Sequence, residues 1–252
     1  LNNEESNING FDKFFEFVES EFDIKYDDNQ RGAIREVLRQ PVSIITGGPG
    51  TGKTTIIKGL LRMYQYVNNL TYLQMSTNVA LLAPTGRASK RMSETTNFGS
   101  STIHRYLKWN KESNEFGVNE FNKEVHKFII VDETSMIDNF LMSSLLKGID
   151  SKTKICFVGD EYQLPSVNSG NVLRDLIKSG MFPHIRLTEI FVFVFAVFII
   201  KAFVAHVFNA VQVAVSIIAS LLNFDHGDGD VRTVIRNSLI IVKKIRKHKS
   251  HF

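Results

Sequence analysis

The sequence predicts an α/β fold with a mostly parallel, doubly wound sheet. Three observations carry that expectation. Short apolar, β-branched runs alternate with longer stretches apolar at helical spacing. The first such run, 42–46, leads through Gly47-Gly48-Pro49-Gly50-Thr51-Gly52-Lys53-Thr54 into a helical stretch. And the motif-bearing segments fall at the carboxyl ends of predicted strands, where open α/β sheets bind ligands.

The elements follow in order. Phe11 to Phe22 places Phe14, Phe15, Phe17 and Val18 on an amphipathic helix. Asn29 to Arg39 reads as a second helix, capped by Asp27 or Asp28. Strand 42–46, helix 53–67, strand 79–83 and helix 86–94 come next. Residues 108–126 are polar and read as an excursion. Strand 127–131, helix 138–147, strand 154–158, helix 169–179 and strand 185–188 complete the series.

Composition divides the chain near Phe191. All five Pro, six Tyr, six Met and the one Trp lie before it, and no Glu follows Glu189. Between Ile190 and Leu222, 21 of 33 residues are Phe, Leu, Ile or Val. The charge divides as well. Residues 1–191 hold 22 Lys+Arg and 23 Asp+Glu, a balance of −1, whereas 192–252 hold 8 and 3, a balance of +5. The net charge of +4 therefore belongs to the tail and says nothing about nucleic-acid binding by the rest. The expected organisation is a lead-in helix over 1–23, an α/β lobe over 24–191 and an unrelated tail over 192–252. One cysteine, Cys156, excludes a disulfide framework and points to a reducing, cytoplasmic compartment. The polar, acidic start is no signal peptide and lacks an initiator Met, as in a piece of a longer chain.

Residues 47–54 fit the phosphate-binding pattern G-x-x-x-x-G-K-[ST] in its required strand–loop–helix context. Glycines let successive backbone N–H groups turn toward a phosphate without a Cβ in the way. The following helix N-terminus adds partial positive charge. Gly48, Pro49, Gly50, Thr51, Gly52, Lys53, Thr54 and Thr55 are thus the expected ATP contacts, with Lys53 on the β- and γ-phosphates and the Thr54 hydroxyl on Mg²⁺. Strand 127–131 ends in Asp132-Glu133. The first acid would hold Mg²⁺ and the second would orient and deprotonate the attacking water. Acids also end strands as solvated caps, but beside a nucleotide the metal needs a carboxylate there. Strand 154–158 leads into Gly159-Asp160 and then presents Gln163, whose neutral amide can sense a γ-phosphate without adding charge; a polar turn before the next helix fits the same residues.

Together these segments resemble the RecD-like branch of superfamily-one DNA helicases. Tyr26-Asp27-Asp28-Asn29-Gln30 is similar to the family's glutamine motif, in which Gln30 would contact adenine. Gly47 to Thr54 resembles motif I, and Ala83-Pro84-Thr85-Gly86-Arg87-Ala88-Ser89-Lys90-Arg91 motif Ia. Ser101-Thr102-Ile103-His104-Arg105 resembles the next DNA-contact motif, and Val131 to Asp138 motif II. Gly159 to Val167 resembles motif III, and Leu187-Thr188-Glu189-Ile190-Phe191 the start of motif IV. The likeness covers roughly 24–191.

The resemblance implies the first of two RecA-like lobes of an ATP-driven motor moving 5′ to 3′ on single-stranded DNA in repair or recombination, alone or with other subunits. Lys53, Glu133 and Gln163 would be its catalytic residues. Thr85, Arg87, Thr102 and His104 would touch DNA phosphates, although Thr102 and His104 equally fit a cap and a core residue, and Arg87 a solvated helix position. Motif IV departs from the family: Val192-Phe193 stands where Arg-Gln is expected. That arginine reaches the γ-phosphate, and such fingers are worth roughly 10³–10⁵ in rate. The expectation for this chain is nucleotide binding with poor hydrolysis. A wrong reading frame after Phe191 would explain the tail, since Phe, Leu, Ile and Val share U at the second codon position. A membrane span or a surface helix are the rivals. The apolar run 190–200 is short for a span of about 20 residues. Two other functions stay open: a non-catalytic nucleotide- and DNA-binding fragment, and a single-lobe ATPase with a membrane-associated tail.

Overall fold

The computed structural model describes residues 2–163 and 168–188, with side chains from Phe11 onward. The chain divides into two units between Phe191 and Val192. The readings of Leu164–Val167, of motif IV from Glu189 and of the tail fall outside the described residues. No helix among the described residues is long and apolar enough to cross a membrane.

Among the described residues, six strands form one parallel sheet: β1 (Val42–Gly47), β2 (Val79–Ala83), β3 (Ser100–Thr102), β6 (Phe128–Val131), β7 (Lys154–Gly159) and β8 (His184–Leu187). Their spatial order is β3-β2-β6-β7-β1-β8. Strands β4 (Trp109–Asn110) and β5 (Glu115–Phe116) make a separate antiparallel pair inside the polar excursion. The α/β fold with its doubly wound parallel sheet is therefore as expected.

The helices are α1 (Asn2–Phe22), α2 (Asp28–Arg39), α3 (Lys53–Val67), α4 (Tyr72–Asn78), α5 (Gly86–Thr96), α6 (Ile103–Tyr106), α7 (Asn139–Lys147) and α8 (Val172–Ser179). The central strands are mostly apolar because both sheet faces are covered. One core gathers Phe15, Val18, Ile34, Val37, Ile45, Ile56, Leu60, Leu81, Phe128 and Ile130 beneath α1, α2, α3 and α5. The other gathers Ile44, Leu82, Ile103, Leu107, Ile129, Val131, Leu141 and Phe157 beneath α6, α7 and α8. Alternate residues of one strand, such as Ile44 and Ile45, go to opposite cores. Each such fully buried side chain contributes about 1.5–3 kcal/mol.

Helix starts follow local chemistry. Asp27 caps α2 in a reciprocal box: its carboxylate accepts from Gln30 N–H, and Gln30 Oε1 accepts from Asp27 N–H. Thr71, Thr85, Thr102 and Asp138 cap α4, α5, α6 and α7 through side-chain oxygens. Four elements differ from those expected. Helix α1 begins near Asn2 rather than Phe11 and buries Phe15 and Val18 in the core of α3. Helix α8 begins at Val172 rather than 169, because Gly170 sits at φ +118°. Edge strand β3 reads Ser-Ser-Thr and owes its form to pairing with β2. Helix α4 is one capped turn and more, with only Met75 buried.

Candidate nucleotide and nucleic-acid site

Strands β1, β6 and β7 deliver their carboxyl ends side by side, since β7 lies between β6 and β1. Each end carries one of the expected motifs. After β1 the chain turns through Gly48–Gly52 into α3, with Gly50 at φ 79° and Gly52 at φ 85°, a region that favours glycine. Gly47 has no room for a side chain: a Cβ there would stand 2.4 Å from Thr51 Oγ1 and 3.0 Å from Leu187 Cβ. The Thr51 hydroxyl donates to Gly48 O at 2.9 Å. Lys53 Nζ donates to Gly47 O at 2.6 Å and Gly48 O at 2.9 Å. The lysine thus folds over its own loop, and Thr54 and Thr55 open α3 beside it with half-buried side chains.

Asp132 follows β6, and its backbone N–H donates to Leu82 O at 2.8 Å, which seats it between β6 and β2. Glu133 N–H donates to Asp132 Oδ1 at 2.8 Å. Burial pushes the Asp132 carboxyl up from its ordinary 3.8 to about 6. The Glu133 N–H bond and the cations Lys53 and Arg91 pull the other way. Lys53 and Asp132 therefore share one electrostatic environment. Arg91 is the residue the motif reading did not assign. Its signal was present: Arg87 and Arg91 are four apart on α5 and so share a face.

Glu133 itself adopts φ 53°, left-handed backbone that costs a non-glycine residue roughly 1–2 kcal/mol. Such strain clusters at sites where a side chain must be aimed. The short 3₁₀ turn Thr134–Met136 follows, anchored by Thr134 Oγ1 donating to Val131 O at 3.0 Å. Ser135 Oγ donates to Gln163 Oε1 at 3.1 Å, so the loop after β6 touches the loop after β7. Asp160, buried, accepts from Tyr162 N–H at 3.0 Å and shapes that second loop.

The remaining expected residues stand as follows. Gln30 is buried at the start of α2, its Oε1 engaged by Asp27 N–H. Thr85 accepts from Ala88 N–H and Thr102 from Arg105 N–H, each at 3.2 Å, so both serve as caps. Arg87 is exposed. His104 is exposed rather than in the core, with its ring near Trp109 and Phe116 at centroid distances of 6.1 and 5.8 Å. Thr85 and Thr102 lie at the carboxyl ends of the paired strands β2 and β3. Lys53 and Arg91 thus act on the charge of Asp132, and Ser135 and Gln163 are in direct contact.

Residues 30–169 match the family model AAA_19, an AAA domain. The chain is 36% identical over 168 residues to the RecBCD enzyme subunit RecD of Mycolicibacterium smegmatis, covering 60% of this chain and 30% of that protein. It is 32% identical over 164 residues to the ATP-dependent RecD2 DNA helicase of Deinococcus radiodurans, covering 65% and 21%. The chain thus spans less than a third of the length of these relatives. In fold it is similar to the Pif1 helicase from Candida albicans, with a TM-score of 0.50, 21% identity, and coverage of 67% of this chain and 41% of that one. The resemblance drawn from the motifs agrees with these likenesses.

Proposed function

Because this chain belongs to the AAA_19 family, matched over more than half its length, we propose that it is the first RecA-like motor lobe of an ATP-dependent DNA helicase. In this reading it binds ATP through the 47–54 loop and single-stranded DNA across the carboxyl ends of β2 and β3. The parent protein works in DNA repair or recombination in the cytoplasm, moves 5′ to 3′, and is open to assembly with other subunits, as a RecBCD subunit would be. The observation that carries the reading is the convergence of the Lys53 loop, the half-buried Asp132 carboxyl and the Ser135–Gln163 contact at adjacent strand ends.

Lys53 leaves its two loop carbonyls and donates to the β- and γ-phosphates, aided by the loop N–H groups and the α3 N-terminus. Gln30 faces adenine with its amide. Thr54 and Asp132 supply hard oxygen donors that suit a divalent cation, for which Mg²⁺ is the proposed occupant. When bound, that ion neutralises charge on the β- and γ-phosphates. Glu133, aimed by its strained backbone, orients the attacking water and accepts its proton. Gln163 reads the γ-phosphate. Thr85 and Thr102 still have hydroxyl hydrogens to give to DNA phosphates, and Arg87 and His104 add exposed donors. Calorimetric titration with ATP and Mg²⁺ tests the reading: wild type binds, Lys53→Ala does not, and equal affinity in the two would refute it.

A further inference from the structure

A polar cluster behind the phosphate loop is used by none of these steps. Thr46, buried at the end of β1, is the residue before Gly47, and its Oγ1 lies 2.7 Å from His184 Nε2 on β8. Two residues on, Arg186 pairs through Nη2 with the carboxylate of Glu161. Glu161 is only 18% exposed in its side chain and stands two residues before Gln163. The Glu161 carboxylate also faces His184 closely enough to oppose the lowering effect of burial on that imidazole, while Arg186 reinforces it. Asn29 Nδ2 donates to Arg186 O at 3.0 Å, tying β8 to the start of α2 beside Gln30.

Among the described residues, strand β8 lies at one edge of the sheet and pairs only with β1. Through it, Glu161 connects the 160–163 loop to the residue preceding the phosphate loop and to the helix that carries Gln30. On its other side the same loop is held by Ser135 on Gln163. A half-exposed ion pair adds little to stability. Its effect is expected in the aim of the loop it tethers.

We propose that Glu161 and Arg186 are positioning residues that hold Gln163 toward the terminal phosphate and thereby set the preference for a nucleoside triphosphate over a diphosphate. The proposal rests on the nucleotide-binding reading above. It is tested on the 252-residue chain by measuring the affinities of the imido analogue of ATP and of ADP, each with Mg²⁺, together with the thermal midpoint. Glu161→Gln and Arg186→Gln should each lower the triphosphate-to-diphosphate affinity ratio about fivefold. ADP affinity and the thermal midpoint should stay as in wild type, and Gln163→Ala should show the same loss of ratio. The exchanged pair Glu161→Arg with Arg186→Glu should recover part of the ratio. An unchanged ratio in both single variants overturns the proposal. So does an equal loss of both nucleotides accompanied by a lower thermal midpoint, which marks a merely structural pair. A wild-type ratio near one removes the sensing role from Gln163 and overturns it as well. Absence of any nucleotide binding by wild type is a different result, because it refutes the function on which the proposal rests.

Discussion

Asp132 makes the ligand-free lobe pay in stability for its site. Its carboxyl titrates near 6 when folded and near 3.8 when unfolded. Well below pH 3.8 both states carry the proton and the group is neutral to stability. Between about 3.8 and 6 the unfolded chain gives up its proton while burial makes the folded one keep it, so stability is lost over that window and the loss is complete above 6. The difference between 3.8 and about 6 corresponds to about 3 kcal/mol at neutral pH. Asp132→Asn keeps an oxygen for the Glu133 N–H at 2.8 Å and removes the charge. The variant should therefore be more stable than wild type by up to about 3 kcal/mol at pH 7.5 and nearly equal to it at pH 4. In a lobe of this size that is a rise of roughly 6–12 °C in thermal midpoint. ATP with Mg²⁺ should reverse the order, stabilising wild type and leaving the variant unmoved. Thermal unfolding of both proteins across pH 4 to 8, with and without nucleotide, reads this directly. A variant that is less stable at pH 7.5, or an offset independent of pH, would refute the reasoning.

Gly47→Ala places a Cβ 2.4 Å from Thr51 Oγ1; calorimetry should show at least a tenfold loss of ATP affinity, and the melt a loss of about 1–3 kcal/mol. Asp27→Ala removes the capping box of α2 and should cost about 1 kcal/mol in denaturant unfolding. Glu133→Gly relieves left-handed backbone and should gain about 1 kcal/mol of stability in the same assay, while Glu133→Gln leaves ATP affinity unchanged.

Legibility in the sequence followed physical autonomy. Strands β1, β2, β6 and β7 are apolar on both faces, so their residue types alone announce them, and α3 carries its own periodicity between a glycine loop and Asn68. The phosphate loop was legible because its geometry demands glycines at fixed offsets. The Asp27–Gln30 box is half legible: the sequence offers Asp27 as one of two possible caps and Gln30 for adenine, without pairing them. Strand β3, the β4–β5 pair and α4 were not legible, since Ser-Ser-Thr and two-residue strands take their form from neighbours distant in sequence. The links Thr46–His184 and Glu161–Arg186 join residues 138 and 25 positions apart, and no local pattern announces them.

The central claim is that nucleotide and DNA sites on this lobe belong to one motor. Fluorescence anisotropy of a labelled oligothymidylate, titrated with the wild-type chain in the presence of Mg²⁺ and either ADP or the imido analogue of ATP, tests it most directly. The account predicts binding whose affinity changes severalfold between the two nucleotides in wild type and not at all in Lys53→Ala. No binding of the oligonucleotide, or one affinity in every nucleotide state, would contradict it.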